Sequence, residues 1–333
     1  MKMINKKTVI ILLAIVCVVV FFSIVNKNFL SLVNIGEIII RVAELSPIAL
    51  GIMVVLIVKG IDLSPGMSIG LLGIISVSFI AKGSPLIVGL TIAFAFALII
   101  GLLNGILIAK FNMNPFITTL AMMFIGMSLE KVLTRGGLPI YLYGGTSGFG
   151  QIYREKILGL PLPILILLII LICLSIVLNK TVYGRRLYAS GLSVKGAINS
   201  GIPVRNYFAS AYVISSILVF FSAIFIASKV RSGQPLIGQS YLWDAIGAAY
   251  LSTILSDTKR PNVGGTVIGV VFLAILTNGL TMFGLQFYWK TFFRGFLILF
   301  ILIASTLDMV SVKYDRKGWE KKYRGRNETI SRN

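Results

Sequence analysis

Apolar runs near or above the roughly 20 residues needed to cross a bilayer recur along the whole 333-residue chain. Such runs leave few architectures open. In hydrocarbon every backbone N–H and C=O must find a partner inside the protein, so each run is a helix or a strand of a closed barrel. The runs are continuous rather than alternating, which argues against the barrel. Composition agrees: 57% of residues are hydrophobic and 13% charged, against about 25% charged in a soluble domain. The expected fold class is an all-α polytopic membrane protein with about ten transmembrane helices.

Clear spans fall near residues 8–25, 44–58, 66–82, 86–108, 115–133, 161–178, 207–228, 264–283 and 291–309. The first run follows Lys2, Lys6 and Lys7. It is longer than the apolar region of a signal peptide and lacks a small-x-small cleavage site, so it reads as a retained span. Basic residues flank the chain at both ends, with eight Lys and Arg from residue 313 onward, which puts both termini on the cytoplasmic side. Two cytoplasmic termini require an even number of crossings. The missing one is assigned to residues 240–256 (SYLWDAIGAAYLSTILS), shorter and more polar than the rest. That assignment gathers Lys59, Lys110, the basic residues of 180–205, Lys259 and Arg260 on the same side.

The net charge of +20 then needs no nucleic acid, since a basic tail beside anionic inner-leaflet lipid explains it. Residues 1–312 form one transmembrane domain, followed by a basic cytoplasmic tail at 313–333. The largest external loop, 134–160, is rich in Gly and Tyr. Cys17 and Cys173 both fall inside apolar runs and read as core or lipid-facing thiols. The chain has no histidine, so the commonest metal ligand and proton shuttle is missing.

Polar residues in this setting are costly and therefore informative. Residues 181–203 (TVYGRRLYASGLSVKGAINSGIP) form a hydrophilic island that must sit in water or against another protein. In Lys59-Gly60-Ile61-Asp62-Leu63-Ser64-Pro65-Gly66, Ser64 and Pro65 look like an N-cap and first helical residue. Asp62 is either a turn residue or part of a broken-helix site on a translocation path. Asn104-Gly105 and Asn278-Gly279 sit within helices, for close packing or for substrate contact. Asn114 and Phe116 punctuate the start of a span. Asp244, inside the short span, needs a partner, and Arg294 is a candidate. The other acidic groups fall at or near span ends.

No phosphate loop, metal-ligand cluster or Ser-His-Asp set is present, so catalysis by this chain and a bound cofactor are not expected. The chain reads as a pathway without its own engine, with a self-sufficient secondary transporter or channel as the rival.

Several of these stretches, in the same order, resemble the ribose-type permease family of bacterial ATP-binding-cassette importers, a group that includes the branched-chain amino-acid permeases. They are GIDLSPG (60–66), GLLNGILIAKFNMNPFITTLAMM (101–123), TVYGRRLYASGLSVKGAINSGIPV (181–204), SGQPLIGQSYLWDAIGAAYL (232–251) and GGTVIGVVFLAILTNGL (264–280). The resemblance implies a type II importer-like permease whose pore is formed with a second permease copy or paralogue. It also implies a cytoplasmic ATP-binding-cassette ATPase and an extracytoplasmic substrate-binding protein as partners. Residues 191–201 would be the coupling segment, with Gly191, Ala197 and Gly201 shaping a short helix. Arg185, Arg186, Lys195 and Arg205 would meet acidic residues of the ATPase. Asp62, Asn104, Asn114, Phe116, Asp244 and Asn278 become translocation-path candidates. Where relatives often read Y-E-L-D-A-I-A-A-V-x-x-G-G, this chain keeps Asp244 but has Leu242 for the glutamate and Ser252-Thr253 for the glycine pair. The expected cargo is a monosaccharide, ribose-like or another pentose or hexose, with a furanose signal or a branched-chain amino acid as the alternative.

Overall fold

The computed structural model describes residues 6–143, 148–157, 159–256 and 259–286, together with scattered helical positions between 288 and 303. The elements in chain order are α1 (Lys6–Val25), α2 (Leu32–Ile57), α3 (Pro65–Ala81), α4 (Leu86–Ala109), α5 (Pro115–Leu133), β1 (Ile140–Tyr141), α6 (Gln151–Arg154), β2 (Lys156–Ile157), β3 (Leu160–Pro161), α7 (Leu162–Lys180), α8 (Val182–Leu192), α9 (Val194–Asn199), α10 (Val204–Val230), β4 (Ser232–Gly233), α11 (Gly238–Leu255) and α12 (Val263–Met282). Among the described residues, six helices are long and apolar enough to cross a membrane, and Ile11–Val25 and Pro65–Ala81 are shorter apolar helices. Apart from α2, the expected spans that fall within the described residues coincide closely with these elements. The last one, 291–309, falls only partly within the described residues, and the 313–333 tail lies outside them.

The helices differ in what they bury. α2 and α10 form the axis of the bundle, and α10 packs along α4, α2 and α3. Their core includes Ile48, Leu50 and Met53 of α2 with Ala211, Tyr212 and Val219 of α10. α4, α5 and α7 sit outside and expose apolar side chains such as Phe96, Phe124 and Ile172. In a soluble protein these faces would cause aggregation, whereas here they suit contact with lipid or another apolar chain. Cys17 and Cys173 are free thiols on this exterior.

Two ends can be told apart by contacts between connections. At the first, Lys59 Nζ donates to the Leu192 carbonyl at 3.4 Å, and the Tyr188 hydroxyl donates to the Pro261 carbonyl at 2.7 Å. The α2–α3, α8–α9 and α11–α12 connections therefore lie together. At the opposite end β1 pairs antiparallel with β4, joining residues 140–141 of the connection after α5 to the α10–α11 connection. Asn26 Nδ2 donates there to the Met282 carbonyl, so the α1–α2 turn and the end of α12 meet. The α10–α11 pair thus leaves the first end and returns to it.

Three departures from expectation have physical causes. α2 begins at Leu32, capped by Ser31, twelve residues before the expected span at 44. Its 26 residues extend roughly 39 Å, longer than a bilayer core of about 30 Å. Ser64 does not cap α3: its backbone is already helical and its hydroxyl donates to Asp62 Oδ1 at 2.6 Å instead. Finally, α11 starts deep in the bundle rather than at its end. The 232–238 segment runs inward along α3, where Gly233 lies against Ile74 and Gly238 against the Gly66 carbonyl. A Cβ at Gly238 would stand only 2.5 Å from that oxygen, so two backbones meet where no side chain fits.

Candidate functional site

Two polar regions stand out, a platform at the first end and a charged hub inside the bundle. The platform is the hydrophilic island, folded as α8 and α9. Thr181 caps α8 by accepting from the Gly184 amide at 3.3 Å, and Ser193 caps α9 by accepting from the Gly196 amide at 3.1 Å. The polar caps let two short helices form side by side where the apolar spans stop. Gly201, at φ +73°, then turns the chain into α10.

The platform is held on its inner side and open on its outer side. Leu187 and Ala197 are buried, and Tyr183 shares a 2.6 Å hydrogen bond with Ser210 of α10. Burial pushes the Tyr188 phenol up from its ordinary value, partly offset by the neighbouring Arg260 guanidinium, so the group stays a hydrogen-bond donor to Pro261. Gly191 lies directly on the Ile57 carbonyl of α2, with no room for a Cβ. Arg185, Arg186, Lys195 and Ile198 are exposed. The expected coupling residues thus divide: Gly191, Ala197 and Gly201 shape and seat the platform, while Arg185, Arg186 and Lys195 are available to a partner.

The hub lies where the non-helical connections enter the bundle. Asp62 Oδ1 accepts from the Ser64 amide at 3.0 Å and the Ser64 hydroxyl, and Oδ2 accepts from the Ser215 hydroxyl at 2.8 Å. Thr119 of α5 donates to the Ile61 carbonyl at 3.4 Å. These bonds satisfy backbone and side chain where water is absent, which is how an irregular segment persists at membrane depth.

Further toward the β1–β4 end, Arg41 pairs with Asp244 at 3.3 Å. Lys229 reaches Glu44 at 2.9 Å and Glu37 at 3.7 Å. The Tyr241 hydroxyl donates to Glu44 Oε2 at 3.3 Å, and its ring lies under the Arg41 guanidinium. One cluster therefore links α2, α10 and α11. Glu130 of α5 is also fully buried and accepts from the Leu236 amide at 2.7 Å, fixing the inward-running segment at a residue with φ +63°.

The charged cluster overturns the expectation that acids other than Asp244 lie at span ends. Glu44 sits in mid-helix because α2 starts earlier than the apolar run suggests. Asp244 has Arg41 as a partner, while Arg294 lies outside the described residues. Sequence reasoning missed Arg41, Glu44, Glu130 and Lys229. A signal was available for the first two, because Glu37, Arg41 and Glu44 recur at helical spacing and share one face of a helix.

The six path candidates are not brought to one place. Asn114 is the N-cap of α5, accepting from the Phe116 and Ile117 amides, and Asn114 and Phe116 are exposed near the platform. Asn104 is buried in α4 beside Gly105, which lies against Ala209 of α10. Asn278 Nδ2 donates to Asn34 Oδ1 at 2.9 Å near the other end, tying α12 to α2. Asp62 and Asp244 occupy separate parts of the interior.

Residues 34–302 match the family described as branched-chain amino acid transport system / permease component. The ribose import permease protein RbsC of Bacillus subtilis (strain 168) is 34% identical over 290 residues, which is 87% of this chain and 89% of that relative. RbsC of Escherichia coli (strain K12) is 29% identical over 304 residues, 90% and 93% of the two chains. The galactose/methyl galactoside import permease protein MglC of Salmonella typhimurium is 29% identical over 326 residues, 92% and 94%. No solved structure matches the chain significantly.

Proposed function

This chain belongs to the branched-chain amino acid transport system permease-component family, and on that premise we propose that it is the transmembrane permease subunit of an ATP-driven importer for a monosaccharide. The observation that carries the sugar reading is its similarity to ribose and galactose import permeases over nearly its whole length. The platform supports the source of energy. It is a polar, basic, two-helix surface seated on α2 through Gly191 and on α10 through Tyr183, and it is suited to a cytoplasmic ATPase presenting acidic residues.

In this reading ten crossings place both termini and the platform in the cytoplasm. A binding protein delivers sugar at the end capped by β1, β4 and α6. A second permease copy or paralogue completes the pore. Asn114 and Phe116, exposed on this chain, face that shared pathway. Asp62, Asn104, Asp244 and Asn278 act within the bundle, holding the helices between which the pathway opens. Closure of the ATPase subunits pushes on Arg185, Arg186 and Lys195. Gly191 passes the displacement to α2, giving alternating access. The chain needs no catalytic residue or cofactor, because ATP is hydrolysed by its partner.

The family name also covers branched-chain amino acids, so the test must separate the two cargoes and the two energy sources. Vesicles carrying the chain with its ATPase and binding protein should accumulate labelled ribose or another simple sugar only when ATP is enclosed. Accumulation of leucine but no sugar would overturn the cargo. Sugar uptake by vesicles holding this chain alone would overturn the ATP-driven mechanism in favour of secondary transport.

A further inference from the structure

Beside the platform lies a cleft of about 440 Å³ between the end of α7, α8 and the α11–α12 connection. Its walls include Leu178, Tyr188 and Pro261, and its polar lining includes Asn179, Arg185 and Arg260. Among the described residues neither arginine makes an ion pair. Two exposed arginines lining one concave surface attract an anion.

The position of the cleft indicates what kind of anion. Along α7, Leu168, Ile169, Ile172, Cys173 and Ile176 are exposed while Leu167, Ile170, Leu174 and Leu178 are buried. The exposed positions recur at helical spacing as one apolar stripe that ends at Asn179, which lines the cleft. A membrane lipid lying along this stripe would set its acyl chain on the isoleucines and its headgroup between Arg185 and Arg260. An acidic protein partner would approach from the open side of the platform and would have no use for an apolar stripe.

We infer that this cleft is a binding site for the headgroup of an anionic phospholipid, with Arg185 and Arg260 holding the phosphate and α7 supporting the acyl chain. The site goes beyond the transport reading. It takes from that reading that the platform end meets the anionic leaflet, it moves Arg185 from the ATPase contact to the lipid while leaving Arg186 and Lys195 to the ATPase, and it is independent of the cargo.

Native mass spectrometry of the purified full-length chain in detergent tests it, with phosphatidylglycerol, phosphatidylcholine or inorganic phosphate as the added probe. Phosphatidylglycerol adducts should predominate on the wild type and fall on the order of tenfold in the Arg185→Ala/Arg260→Ala double variant. The Arg185→Lys/Arg260→Lys protein should keep most of them, which separates lost charge from lost folding. Equal adducts on wild type and alanine variant would overturn the site. So would equal retention of phosphatidylcholine, or displacement of phosphatidylglycerol by equimolar inorganic phosphate. Adducts unaffected by the alanines, with the ATPase lost from the purified complex instead, would assign the arginines to a protein partner. The topology would stand in any of these cases provided fusions at residue 256 still report the cytoplasm.

Discussion

Lys229 and Glu44 illustrate how a charge survives inside an apolar bundle. Glu44 has no exposed surface, and its carboxylate takes the Lys229 ammonium at 2.9 Å and the Tyr241 hydroxyl at 3.3 Å. The pair is expensive to desolvate, and breaking it is worse than never having it, because one charge is left buried alone. Lys229→Met should therefore cost about 3–5 kcal/mol. It should be read as a lower temperature at which half the protein stays folded in detergent. The Lys229→Met/Glu44→Leu double variant should recover much of that loss. No recovery would mean that the pair contributes little and that Lys229 acts through Glu37 or through the Tyr153 ring, whose centroid lies 5.5 Å from its Nζ. Asp62 is handled differently, by hydroxyl and amide donors from Ser64 and Ser215. No local pattern distinguishes the two solutions, since each depends on a residue from another helix.

At the scale of elements, the apolar runs predicted helix existence well and helix ends less well. α4 and α5 start and stop within a residue or so of expectation, because Pro85, Asn114 and Pro115 punctuate them. α2 starts twelve residues before the apolar run at 44–58, because its first turns carry Asn34, Glu37 and Arg41 and so fall short on hydrophobicity alone. The resemblance implies one short helix at 191–201; α9 (Val194–Asn199) lies there, whereas Gly191 belongs to a further helix, α8 (Val182–Leu192), and the caps Thr181 and Ser193 set the two apart. Gly191 gives the platform its testable property. Gly191→Val would force α8 away from the α2 backbone, so substrate-stimulated ATP hydrolysis by the assembled transporter should fall at least tenfold while membrane insertion is unchanged. Gly196→Ala, at an exposed position, should leave stimulation near normal. Equal effects of both would show that helix flexibility, rather than the contact with Ile57, matters.

For the whole molecule, the polarity of the bundle is the property most open to a direct test. The Tyr188–Pro261 contact puts α8 and the α11–α12 connection at one end, and the β1–β4 pair puts residues 140–141 of the connection after α5 at the other. Reporter fusions after Leu160 and Ser256 should accordingly report outside and inside. An outside signal after Ser256 would break the ten-crossing arrangement, since α11 would then not return to the platform end. The same two-ended organisation separates the tasks of the molecule. Exposed basic residues stand at one end, the β1–β4 pair at the other, and the charged hub sits between them.

The sequence by itself determined that this chain spans a membrane as helices and where the polar island falls. Hydrophobic run length and the requirement to satisfy every backbone group in hydrocarbon act locally, so they can be read along the chain. Only the tertiary structure decided that α3 and α11 begin deep in the bundle, that Glu44 meets Lys229 and Asp244 meets Arg41, and that Gly191 rests on the Ile57 carbonyl. Each of these joins residues more than a hundred positions apart, and their worth depends on distances of a few ångströms that no local pattern encodes.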